Sequence, residues 1–458
     1  MLRKIFITGI AVYIILLWLS VSFYKERLLF LDHAYYLFEI ITTEGFAIFH
    51  YRFIAAAIEL FPYLAVKASL PLKQVMLAYS VNIVIFHLLC YLVCGLLKDY
   101  KAAIGLLLFH VLFATHTFYF TISEMIQATV LLFPLLALVR RYEIARNRWL
   151  TAVFIVLLIP VIAFAHPLMI FPVGFMLVFF WLDSKEPVSI RTVLWVGGVY
   201  AAVLLFKNLF LKEPYDAGAM GNLRHFQTLF PDYINLHSNK NFILNCLTRY
   251  YWIPLGSAIV IALYTQSKQW GKLALFVVAM LGYLLLINVS YPNSNIPDFY
   301  TENLYTPLAF FLALPLAFDV LPALLQRRVA LAYALFGLIA VTGLVRIYAA
   351  HKSYTTRVNW LRHYVATNEG KKIMASEKHA PMDTLLMSWA TPYEFWLIST
   401  EERNRTASII FTDKLKEVSW GSSLTYDFVT QWGTYSYDSL DKRYFKFADS
   451  FATYTVMP

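Results

Sequence analysis

The stretch FIAAAIELFPYLAV, residues 53–66, decides how the rest of this chain is laid out. It is apolar, but short, and it carries Glu59 and Pro62 in its middle. Counted as a membrane span, it would put RRYEIARNR (140–148) on the outside, against the excess of Lys and Arg that inside connections carry. Laid flat on the membrane surface as an interfacial helix, it keeps that basic connection inside. Residues 53–66 are therefore expected to form an interfacial helix.

The 458 residues are 60% hydrophobic and only 14% charged, against about 25% charged in ordinary soluble domains. This is the profile of an α-helical polytopic membrane protein. Runs of apolar residues near spanning length predict about eleven transmembrane helices, near 5–22, 75–97, 102–119, 125–139, 149–165, 168–182, 192–210, 251–266, 273–289, 304–324 and 329–348. The inside connections are then Lys98 to Lys101, RRYEIARNR, DSKEPVSIR, SKQWGK and QRR, all rich in Lys and Arg. The outside connections (23–74, the turn near Ser123, 211–250 and 289–305) are mostly longer and poorer in them.

The N-terminus, basic at Arg3 and Lys4 and then apolar, has the order of an export signal. Ser20 and Ser22 loosely mimic a cleavage site, whereas Tyr13, Trp18 and the length suit an uncleaved anchor. The formal charge of +10 comes with no recognisable binding module, so nucleic acid is not an expected partner. Cys90 and Cys94 share a helix face as packing residues, and Cys246 has no obvious partner.

Residues 1–348 therefore form a transmembrane domain with interfacial helices in its first outer loop. Residues 349–458 form a polar outer domain of small α/β type. In it TASIIFT is expected to be a buried strand, TLLMSWATPYEFWLIST a strand or short helix, and 436–456 turns and strands.

Two carboxylates fall on the outer face. Asp32, in LLFLDHAYYLFEI (28–40), can accept a proton or bind a metal, or it can simply cap the helix that follows. Glu124, at the mouth of a span, has a good electrostatic reason to sit in a first helical turn. Together the pair could share a divalent cation or divide base and orienting roles. His33, Tyr35 and Tyr36 offer donors and flat faces to a substrate bearing hydroxyls. Arg52 is suited to phosphate at headgroup depth, and equally to anchoring the interfacial helix to lipid. Arg224, His225, His237 and Lys240 make a candidate phosphate clamp in the 211–250 loop, although surface solvation suffices for any one of them. His87 and His110, inside spans, are expected to hydrogen-bond between helices.

FLDHAYY, the interfacial helix after it, the second acid in ISE (122–124) and the polar domain after the last span resemble the C-type glycosyltransferase superfamily. The resemblance covers the order of spans through the chain, but its motifs are only a few residues long. It implies transfer of a sugar from a polyprenyl-phosphate donor to a glycan, lipid or protein acceptor, on the outer face of a bacterial cytoplasmic membrane whose lipids surround the spans. It makes Asp32 the catalytic base and Glu124 the second acidic site, with magnesium or manganese as the cation the two would hold. His33 stands where many relatives carry a further acid, a departure that counts against metal dependence.

A transporter or flippase, or a non-catalytic membrane scaffold, are the other readings. An enzyme should bring Asp32 and Glu124 to one cavity with a basic group beside them. A transporter should show a polar path lined by His87 or His110. A scaffold should use Asp32 as a helix cap with no cavity next to it.

Overall fold

The computed structural model describes residues 1–120, 122–145, 148–211, 214–293, 297–413, 425–447 and 453–457. The chain is a polytopic helical protein. Among the described residues, eight helices are long and apolar enough to cross a membrane. They are Leu2–Ser22, Leu72–Leu96, Glu124–Ile144, Arg148–Ala165, Ile190–Phe210, Trp270–Ser290, Asp298–Arg327 and Val329–Thr367.

Three of the expected spans are shorter or broken. Tyr100–Phe113 is a helix of 14 residues, about 21 Å against the roughly 30 Å of a hydrocarbon core. It stops short of 119 because the chain turns at Ala114, where Glu302 accepts the backbone N–H groups of Thr115 and Thr117 at 2.7 and 2.8 Å. Arg346 then covers the orphan carbonyls at the helix end, donating to Val111 at 2.8 Å and to Ala114 at 3.3 Å. Pro167–Trp181 is likewise short, and Trp252–Gln266 joins His237–Thr248 across a bend of 83°. Counting that bent pair as one span gives up to nine.

The 53–66 stretch forms the helix Ala55–Lys67, 13 residues long and too short to span. Its Glu59 is buried, its carboxylate accepting the Ala47 N–H at 2.7 Å. A second helix, Asp32–Thr43, precedes it in the first connection. His87 and His110 tie helices together as expected: Tyr13 bonds His110 at 3.0 Å, and His87 bonds Gln127 at 2.6 Å. Cys90 and Cys94 are free and buried.

The last apolar helix does not end at 348. It runs unbroken to Thr367, so the polar region begins on a continuous rod rather than a linker. Gly343 permits its close crossing with Tyr100–Phe113, since a Cβ there would run into the Val111 carbonyl. Beyond it, β1 (Lys372–Ala375) pairs in parallel with β2 (Ser408–Phe411), which is the TASIIFT strand, and with β5 (Tyr454–Met457). TLLMSWATPYEFWLIST (384–400) holds the end of the short helix Met382–Leu385, a non-helical turn over 386–390, and most of the helix Thr391–Arg403. The strands β3 (Asp427–Val429) and β4 (Thr434–Ser436) make a hairpin. Residues 448–452, part of the expected turn-and-strand segment, lie outside the described residues.

This polar region packs on the helical one. Lys25 bridges to Glu401 and Glu402 at 2.7 and 2.6 Å, and Phe38 sits against Tyr393, Trp396 and Phe445. At the opposite end of the helices the basic connections meet their own acids, with Arg140 on Asp99 at 3.0 Å and Lys101 on Glu186 at 2.9 Å.

Candidate functional site

Asp32 reaches its position through an anchored backbone. Arg27 is fully buried and donates to the Ser80 hydroxyl at 2.9 Å, to the Ser80 carbonyl at 3.2 Å and to the Phe118 carbonyl. Four residues on, Leu31 takes a left-handed φ of 47°, a conformation that costs a non-glycine residue roughly 1–3 kcal/mol. Its N–H donates to the Glu394 carboxylate at 2.9 Å, and Glu394 is in turn clamped by Arg357. The chain enters the helix Asp32–Thr43 from that turn. Leu31 is its cap residue, with no side-chain cap bond, and Asp32 is the first helical residue. The expectation that Asp32 caps the helix is therefore corrected: its carboxylate is not spent on the backbone.

That carboxylate faces a cavity of about 410 Å³ lined also by Glu124, Arg52, Tyr35, Tyr36 and His166. Among the described residues it has neither a hydrogen-bond nor an ion-pair partner. Burial, reinforced by the negative charge of Glu124 and opposed by Arg52, pushes it up to about 7. Such a group takes up or releases a proton near neutral pH.

Arg52 organises the opposite wall. Its Nη1 donates to Glu124 Oε2 at 2.8 Å and its Nη2 to Asp216 Oδ1 at 3.2 Å, while Lys207 Nζ reaches Asp216 Oδ2 at 2.8 Å. All four side chains are buried. Burial works against the Arg52 cation, but Glu124 and Asp216 outweigh it and hold the guanidinium firmly protonated. Burial also pushes the Asp216 carboxyl up, and here Lys207 and Arg52 outweigh it and keep it below the usual carboxylate range. His166 is driven down to about 3, by burial first and then by Arg52, with Lys207 adding to the same push. It is neutral at physiological pH.

At the rim the polar region contributes an aromatic wall. Trp432, in the hairpin turn, lines the cavity and remains 58% exposed. It stands 4.9 Å from the Tyr35 ring and 4.7 Å from Trp389. Tyr215 stacks on His50 at 4.4 Å.

Asp32, Glu124, Tyr35, Tyr36 and Arg52 are thus brought together. His33 is not, which corrects its assignment to substrate binding: it is fully buried, against Tyr79 and Phe120 and away from the cavity. The 211–250 clamp is corrected as well. Arg224, His237 and Lys240 are exposed, His225 pairs with the Ser290 carbonyl at 3.0 Å, and none of the four lines the cavity. That connection supplies Tyr215 to the lining instead, and Asp216 as a partner of Arg52. Lys207, Asp216 and Trp432 were not singled out by the sequence reading. Lys207 had a signal, being a lone cation in the last turn of an apolar helix.

A divalent metal held by Asp32 and Glu124 does not fit this donor set. Glu124 already accepts from Arg52, whose guanidinium supplies the positive charge between the acids. Among the described residues no group of three or more His, Cys, Asp or Glu is placed to hold a metal ion. The cavity shares no lining residue with the small space between His87 and His110 or with the one at the opposite end.

The arrangement defines a polytopic helical protein with an acid–cation cavity roofed in part by its own polar C-terminal region. Comparison with protein-family models, curated proteins and solved structures gives no match.

Proposed function

We propose that the protein is a membrane glycosyltransferase of the C-type kind, moving a sugar from a polyprenyl-phosphate donor to an acceptor hydroxyl at the outer membrane face. The observation that carries this reading is the unpartnered, near-neutral carboxyl of Asp32 in one cavity with the Arg52–Glu124 pair. A base with no partner to give up, beside a cation with more than one donor to offer, suits a reaction that needs proton removal at one side and anion stabilisation at the other.

In this reading the acceptor O–H attacks the anomeric carbon and passes its proton to Asp32. The bond from that carbon to the phosphate oxygen breaks, and its electron pair leaves with the phosphate. Arg52, kept protonated by its acidic neighbours, stabilises the charge that develops there. Tyr35 and Trp432 give flat faces for a sugar ring at the cavity mouth. The eleven-span count, the interfacial position of Ala55–Lys67, the inside N-terminus and the bacterial cytoplasmic membrane belong to the same proposal. A glycan, lipid or protein is the acceptor class.

The test is sugar transfer from labelled polyprenyl-phosphate donors by purified protein, wild type against Asp32→Asn, with matched folding. Activity lost only in the variant supports the reading. Equal turnover in both removes Asp32 from the chemistry, and no turnover in either over a range of donors sinks the transferase.

A further inference from the structure

Asp216 bridges two buried cations with its two oxygens, Oδ1 on Arg52 and Oδ2 on Lys207, at 3.2 and 2.8 Å. A carboxylate held in this way has the outline of two phosphoryl oxygens. A cation buried in the last turn of an apolar helix is expensive to maintain, and a fully apolar contact would anchor the chain at less cost. Two further features point to an anion other than Asp216. The buried Arg52 Nε has no partner among the described residues, so the guanidinium holds a donor in reserve. His166 Nδ1 accepts the Leu168 N–H at 3.2 Å, which leaves the proton of the neutral ring on Nε2, on a residue that lines the cavity. The short helix carrying Asp216, Pro214–Met220, is held through Tyr215, which stacks on His50 at 4.4 Å and lies under the Arg52 guanidinium, and through Asp216 itself. Of its side chains described, Pro214, Tyr215 and Gly218 are exposed and Asp216 alone is buried.

We propose that Arg52 and Lys207 form a phosphoryl-binding subsite and that Asp216 is its built-in competitor. Lys207 and Asp216 do not line the cavity, so a phosphate monoester or diester entering it meets Arg52 first and takes Lys207 only as Asp216 and the Pro214–Met220 helix are displaced. In the empty protein the carboxylate keeps two buried charges paired. This deepens the proposed function by placing the phosphate of the donor, but it stands without any transfer step.

The experiment measures binding by purified protein of a short-chain prenyl phosphate, of inorganic phosphate, and of the matching prenyl alcohol as control. The proteins are wild type, Asp216→Asn and Lys207→Met, each checked for folding. Removing the competitor should tighten prenyl phosphate binding about tenfold or more, and removing the cation should weaken it by a similar factor. The alcohol should show neither change. Inorganic phosphate following the same pattern would mark a subsite for free phosphate as well, and a response to the prenyl ester alone would mark a lipid-borne one. Binding by Asp216→Asn no tighter than wild type, or by Lys207→Met unchanged, overturns the proposal. Should a variant not fold, hydrogen exchange over residues 214–220 of the wild type decides. Exchange should quicken on adding prenyl phosphate, and unchanged or slower exchange refutes displacement. A correct binding pattern with no sugar transfer would leave this subsite standing while the transferase reading falls.

Discussion

The backbone N–H of Leu31 donates to the carboxylate of Glu394, across 363 residues of sequence, at 2.9 Å. Through that bond the polar C-terminal region fixes the turn from which Asp32 starts its helix. Glu394 is itself fully buried against Arg357. Removing it strands a buried guanidinium and frees a strained backbone, so Glu394→Ala should destabilise the protein by about 3–5 kcal/mol. Thermal unfolding in detergent checks the magnitude. Glu394→Gln, which keeps an acceptor for Leu31, should lose less, and equal losses would mean that the Leu31 contact contributes little.

Activity should rise with pH through about 7, because Asp32 accepts a proton only once it has lost its own. The charge of Glu124 pushes that carboxyl up and Arg52 pulls it down. Glu124→Gln should therefore move the rising limb to lower pH, and Arg52→Gln to higher pH. The midpoint of the kcat/KM profile is the readout, since both variants will also lower the plateau. A limb that moves the same way in both would contradict this electrostatic account.

The same carboxyl sets a stability dependence. Its folded-state value lies above the ordinary one near 3.8, so the folded state binds the proton more tightly than the unfolded chain. The stability that this provides is complete below about pH 4 and is lost as pH rises through about 7. Asp32→Asn escapes the loss. Its Tm should match wild type in acid and exceed it increasingly up to pH 8, even as turnover disappears. A constant difference across that range would show that Asp32 is solvated in the folded protein.

How far the sequence carried can be traced in the helix after Leu31. Asp32, Tyr35 and Tyr36 are spaced i, i+3, i+4 and share the cavity face. His33, one residue along, is turned about 100° away into the core. Helical period alone separates these roles, yet residue chemistry had grouped all four. Long apolar runs were legible as helices because spanning length leaves a continuous signal. Tyr100–Phe113 was overextended, because Glu302, almost two hundred positions later, ends it at Ala114. The pairing of Asp216 with Arg52 and the place of Trp432 at the cavity were illegible for the same reason: polar and aromatic loop residues acquire meaning only when distant segments meet.

Trp432 tests what the polar region gives the site. Its ring lies at the mouth beside Tyr35, and it is exposed enough that the core does not rest on it. Aromatic stacking contributes about 0.5–1.5 kcal/mol beyond area burial, and 1.4 kcal/mol is about tenfold in affinity. Trp432→Ala should therefore raise KM for one substrate by up to about tenfold, with kcat and Tm close to wild type. Trp432→Phe should recover most of the loss. Steady-state kinetics with donor and acceptor varied in turn will show which substrate the ring meets. If both KM values stay unchanged in the alanine variant, the aromatic wall is packing, and the C-terminal region acts on the site only through Glu394 and Leu31.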